Sequence, residues 1–75
     1  MKVFLIMVPP IGAQIESLRR EARWTIARLA DTIKRDRRTV ARHIHGKMTP
    51  SLKTIRKYEA AFSARLNRPV RLGDR

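Results

Sequence analysis

Trp24-Thr25-Ile26-Ala27-Arg28-Leu29-Ala30-Asp31-Thr32-Ile33-Lys34-Arg35-Asp36-Arg37-Arg38-Thr39-Val40-Ala41-Arg42-His43-Ile44-His45-Gly46 is the stretch that decides the fold. Thr25 is a good N-cap, and Ile26, Leu29, Ala30 and Ile33 recur at helical spacing behind it. Asp36 caps a second short helix, where its negative charge suits the positive end of the helix dipole. In that helix Val40 and Ile44 supply an inward face with His43 beside them, and Gly46 stops it at a C′ position. Arg37, Arg38 and Arg42 are left on the exposed side. From Lys34 to Lys47 there are six basic side chains and one carboxylate. A short, capped, arginine-bearing helix of this kind suits the major groove of DNA.

Working outward, the first helix is expected from about Ile11 to Ala22, with Ile11, Ile15, Leu18 and Ala22 inward and Gln14, Glu16, Arg19 and Arg20 towards water. Ala30 is small enough to let the third helix cross closely. Thr49-Pro50-Ser51 opens a long fourth helix, with Thr49 as cap and Pro50 in the first turn. Its inward face is read as Leu52, Ile55, Tyr58 or Glu59, Phe62 and Leu66, and Pro69 prevents continuation. Trp24 is read as a core anchor rather than a platform for stacking bases. Residues 1–10 form an apolar arm ending in Pro9-Pro10, with Val3-Phe4-Leu5-Ile6-Met7-Val8 as its body. The tail, 69–75, alternates through Val70-Arg71-Leu72 and is able to form a short strand pairing with the arm. The expected division is therefore an arm over 1–10, a helical domain over 11–68 and a tail over 69–75. The fold class is mainly α, with four or five helices.

With 75 residues the chain hides about 60% of its unfolded surface, enough for a small helical core and too little for an enclosed active-site cleft. A net charge of +12 opposes compaction, and a polyanionic partner is its natural counterpart. The absence of cysteine removes disulfides, thiolate chemistry and zinc fingers, and fits a reducing cytoplasm. The six-residue apolar run is too short to span a bilayer and has no small-residue cleavage site after it, so neither a membrane anchor nor a secretory leader is expected. His43 and His45 are two apart on a helix and point to different faces, which is poor spacing for a shared metal. Glu16 with Glu21, and Asp31 with Asp36, are better explained as surface charges and a cap than as catalytic pairs, and no nucleophile has a base beside it. No cofactor, metal, small-molecule substrate or enzymatic activity is expected.

Together these residues resemble the lambda-repressor-like helix-turn-helix family, in its Xre and Cro branch. The resemblance covers about Ile11 to Phe62 and rests on Ile11-Gly12, Ile15, Leu18-Arg19, Thr25, Leu29-Ala30, Val40, Gly46, Pro50-Ser51 and Ile55, with ten residues from Ala30 to Val40. The chain departs from the pattern at three sites, one of them His43, which replaces the usual inward-facing leucine or tyrosine. Lys34-Arg35 stands where the family has glycine and an apolar residue, so Lys34 is expected at positive φ, with the Arg35 stem over the core and its head in solvent. Ile26 stands where many relatives have a DNA-contacting glutamine.

The resemblance implies a sequence-specific transcriptional regulator, a repressor of phage or mobile-element type. It would act in the cytoplasm on double-stranded DNA, binding an inverted-repeat operator as a homodimer. In that reading Arg38 and Arg42 read bases, Arg37 reads a base or clamps a phosphate, and Thr39 touches a thymine methyl or a backbone oxygen. Phosphates are held by Thr25 at the second helix's N-terminus, by Arg28, Lys47 and Lys53, and by His45, while Lys34 adds to the clamp or only solvates the turn. The alternatives are a DNA-bending, recombination-directing protein and an antitoxin-like interaction module, the latter suggested by the apolar arm.

Overall fold

The computed structural model describes residues 9–73. Among them run α1 (Ile11–Ala22), α2 (Ile26–Ile33), α3 (Arg37–Ile44) and α4 (Leu52–Leu66), with no strand. The expected apolar arm, beyond Pro9 and Pro10, lies outside the described residues. α1 packs on α3 and α4, and α2 packs on the same two helices. The core between them is Ile15, Leu29, Val40, Tyr58, Phe62 and Leu72, all fully buried. Trp24 stacks on Phe62 with ring centroids 5.8 Å apart and is covered by the Arg65 guanidinium, also 5.8 Å from its ring. It is the anchor its sequence position suggested.

Caps fix where each helix begins. The Thr25 hydroxyl accepts from the Arg28 N–H at 3.0 Å, as expected for an N-cap. At α4 the cap is Ser51, not Thr49: Ser51 Oγ accepts from the Thr54 N–H at 3.2 Å, and Pro50 lies outside the helix with its ring buried. Ile55, Tyr58, Phe62 and Leu66 pack on the core as expected, Thr54 joins Tyr58 and Phe62 in the buried stripe, and Leu52 is 51% exposed rather than buried. Tyr58 is the inward residue of the Tyr58–Glu59 pair.

Left-handed residues end three helices: Arg23 (φ 60°), Lys34 (φ 60°) and Asn67 (φ 56°). Each costs about 1–2 kcal/mol for a residue with a Cβ, and closing hydrogen bonds offset it. At Lys34, where positive φ was expected, the Lys34 N–H donates to Asp31 O at 3.2 Å and the Arg35 N–H to Ala30 O at 2.9 Å. α2 and α3 are thereby joined by three residues only, with Arg35 half-buried at the bend.

Gly12 sets the spacing of α1 and α3. A Cβ there would lie 2.3 Å from His43 O and 2.6 Å from Ile44 O, so only glycine lets the two backbones approach this closely. Arg19, read from the sequence as water-facing, is instead largely buried. It chelates Glu16 through Nε and Nη2, both at 2.7 Å, and donates through Nη1 to Trp24 O at 2.5 Å. The Arg19 hydrogen bonds hold the Glu16 carboxyl down at about 2. Its contribution to stability is present above the ordinary carboxylate value and is lost as pH falls from about 4.5 towards 2.

The tail is not a strand. Val70 and Leu72 drop into the core, and side chains take the tail's N–H groups: Val70 to Ser63 Oγ (2.9 Å), Leu72 to Glu59 Oε2 (2.8 Å) and Gly73 to Gln14 Oε1 (3.0 Å). Donors used in this way are not available for a β-ladder with the arm. Alternation of Val70 and Leu72 around Arg71 looks the same whether the two apolar residues face a partner strand or a helical core.

Candidate nucleic-acid interface

α3 is held from behind on three sides. Val40 is fully buried, the His43 and Ile44 carbonyls lie against Gly12, and His43 is 3% exposed with Nδ1 2.8 Å from the Tyr58 hydroxyl. At 3.6 residues per turn, Val40 and His43 define an inward direction, and Arg38 points about opposite to it. Arg42 and His45 flank Arg38 on the outer face, Ala41 lies beside them, and Arg37 and Thr39 fall to the two edges. Arg37, Arg38, Arg42 and His45 are exposed, whereas Thr39 is half-buried. None of the three arginines takes part in an ion pair among the described residues, while Arg19, Arg20 and Arg68 are all engaged by Glu16 or Glu21. Among the described residues the ion pairs thus gather on the carboxylates of α1, and the guanidiniums of α3 form none.

Both ends of α3 are locally defined. Asp36 Oδ1 accepts from the Arg38 N–H at 3.4 Å. At the other end Gly46 sits at φ 75°, its N–H donating to His43 O (3.3 Å), while the Lys47 N–H donates to Arg42 O (2.9 Å). This double closure carries Lys47 out of the helix as an exposed cation directly after the arginine-bearing turn. At the start of α2, Thr25 and Arg28 are both exposed. The Arg28 N–H is taken by Thr25 Oγ1, so the Thr25 hydroxyl proton and the backbone N–H groups of Ile26 and Ala27 are left to donate outward.

Two of the expected phosphate contacts, Lys34 and Lys53, stand near Lys57 and Arg35. Lys34 and Lys53 act together with Arg35 on Lys57: burial and then the positive charges of Arg35, Lys53 and Lys34 push the Lys57 ammonium below its ordinary value. Lys34 and Lys57 rim a groove of about 420 Å³ between α2 and α4. Lys57 was not singled out from the sequence. Its signal was present in the Lys53–Lys57 spacing of four, which puts two cations on one face of α4.

Burial lowers the His43 pKa, and the Arg35 charge lowers it further. Burial also pushes the Tyr58 hydroxyl far above its ordinary value. Both rings are therefore neutral at pH 7, sharing one hydrogen bond in an edge-to-face pair with centroids 5.8 Å apart. The folded chain resists protonation at His43 while the unfolded chain takes up a proton near pH 6.5, so stability is full above that pH and declines as pH falls below it. We expect the urea midpoint to drop between pH 7 and 5, and His43→Phe to flatten that part of the profile. A midpoint unchanged across this range in the wild-type chain would contradict a neutral, buried His43.

Among the described residues no three His, Cys, Asp or Glu side chains converge to hold a metal ion, and no helix is long and apolar enough to cross a membrane. His43 and His45 are separated by burial, one in the core and the other in solvent. No family model, curated protein or solved structure matches this chain.

Proposed function

We propose that this chain is a sequence-specific DNA-binding regulator of the lambda-repressor-like type, a repressor that acts in the cytoplasm as a homodimer on an inverted-repeat operator. The observation that carries the reading is the outer face of α3. Arg38 and Arg42 project from a short, doubly capped helix, solvent-facing and with no ion pair among the described residues, and the inner face of that helix is pinned by Val40, His43 and Gly12. In the major groove each guanidinium can donate two parallel hydrogen bonds to guanine O6 and N7, a geometry no lysine reproduces. Ala41 beside them allows close approach. Thr39 and Arg37 meet the groove walls, while the Thr25 hydroxyl, Arg28, His45 and Lys47 meet phosphates on either side. Ile26 is half-buried against the core and makes no readout of its own.

Selection from a random duplex pool tests this proposal. The expected product is an inverted repeat with half-site centres about 10 base pairs apart, bound by two copies of the chain. A selected site without dyad symmetry, bound by one copy, would overturn the dimeric operator. An unselected pool retained without enrichment would overturn sequence-specific binding.

A further inference from the structure

We propose that the groove between the C-terminal half of α2 and the middle of α4 docks an acidic amphipathic helix from a partner protein. Ile33, Ala60 and Ala61 form its apolar floor, with Thr32, Lys34 and Lys57 along the rim. The two alanines keep the floor shallow and smooth, as seating a third helix between two others requires. Ala60 is exposed, and Ala61 and Lys57 are half-buried, so the surface is open to a partner. The charge is one-sided. Lys34 and Lys57 line the groove, Arg35 and Lys53 are close enough to oppose the Lys57 charge, and the carboxylate–arginine ion pairs among the described residues, Glu16 with Arg19 and Arg20 and Glu21 with Arg68, lie elsewhere.

An occupant that relieves this repulsion must be acidic, and one that covers the two alanines and the remaining edge of the largely buried Ile33 must also be apolar. A DNA backbone meets only the first condition. A helix with leucines on one face and glutamates beside them meets both, with carboxylates over Lys34 and Lys57 and apolar anchors between them. None of the residues proposed to read bases lines this groove. The chain could therefore hold its operator and a partner at once, and its left-handed Lys34 would present its side chain to the partner rather than to DNA.

Backbone amide shifts of the full chain, followed by NMR, give the test. The probe is a synthetic helical peptide with leucine at positions i, i+3, i+4 and i+7 and glutamate at the flanking positions. Controls are a scrambled peptide of identical composition and the selected operator duplex. The peptide is expected to shift Thr32, Ile33, Ala60 and Ala61, and the duplex to shift α3. Lys57→Glu should weaken the peptide at least about tenfold, equivalent to about 1.4 kcal/mol, and leave the shift pattern with DNA in place. Ala60→Glu, at an exposed position that leaves the core untouched, should do the same. Equal shifts from the scrambled peptide, or none from the designed one, would overturn the proposal. Shifts of the groove amides by DNA but not by peptide would also overturn it and reassign the four cations to nucleic acid. Because the duplex arm reads α3 separately, failure here is distinguishable from failure of the DNA-binding reading.

Discussion

Gly12→Ala is expected to destabilise the fold by about 3 kcal/mol, at the upper end of ordinary overpacking. The added methyl would stand 2.3 Å from one backbone carbonyl oxygen and 2.6 Å from the next, and neither is the end of a flexible side chain. α1 and α3 would have to separate, opening the core around Ile15 and Val40. Alanine's better helix propensity returns only about 1 kcal/mol. A domain of this length has roughly 4–11 kcal/mol in total, so much of its stability would be lost. Gly46→Ala is the matched control. Nothing lies within 4 Å of its added Cβ, so only the strain of φ +75° is introduced, about 1–2 kcal/mol. Urea unfolding followed by the fluorescence of Trp24, the single tryptophan, measures both. A smaller loss for Gly12→Ala than for Gly46→Ala would mean that the α1–α3 contact is not as close as described.

Arg38→Ala and Arg42→Ala are each expected to weaken operator binding by roughly 1–3 kcal/mol and to relax the preference at one base pair. Arg38 should have the larger effect, because it lies nearest the centre of the outer face. Neither change should alter folding, since both side chains are exposed and form no ion pair among the described residues. Lys47→Ala should weaken cognate and scrambled duplexes alike and reduce the salt slope by about one contact. Fluorescence anisotropy with paired duplexes separates the two classes. If both arginine variants keep the wild-type ratio of cognate to scrambled affinity, α3 does not read bases through them.

Much of the fold could be read from local chemistry. Thr25, Asp36 and Gly46 carry the geometry of helix ends in their own side chains or backbone freedom, and each stands where its type indicated. Lys34 was legible for the opposite reason: the connection is too short to reverse the chain without a left-handed residue, whatever its side chain. Features settled by packing were not legible. Thr49 and Ser51 are both good caps in isolation, and in the fold Ser51 takes the role with Pro50 buried beside it. Arg19 looks like a surface charge until Glu16 and the Trp24 carbonyl are brought beside it. Val70 and Leu72 alternate like a strand because the core accepts every second side chain of an extended tail. The resemblance quoted Gly12 as a position without its reason, which is the nearness of the α3 backbone. In the candidate site, Arg37, Arg38 and Arg42 followed from helical periodicity alone. The Lys34–Lys57 grouping joins residues from two helices distant in sequence, and periodicity within one helix cannot reveal it.

The most direct test of the central claim is the ratio of affinities for the selected duplex and a scrambled duplex of the same composition, measured from about 50 to 200 mM salt. Specific binding through α3 predicts a selected duplex held at least about a thousandfold more tightly near physiological salt. Both affinities should fall steeply with salt, log K by about 0.9 per phosphate contact, while the preference for the selected sequence survives. Equal affinities across the whole range would show that the +12 charge binds polyanions without reading them, and would contradict the account.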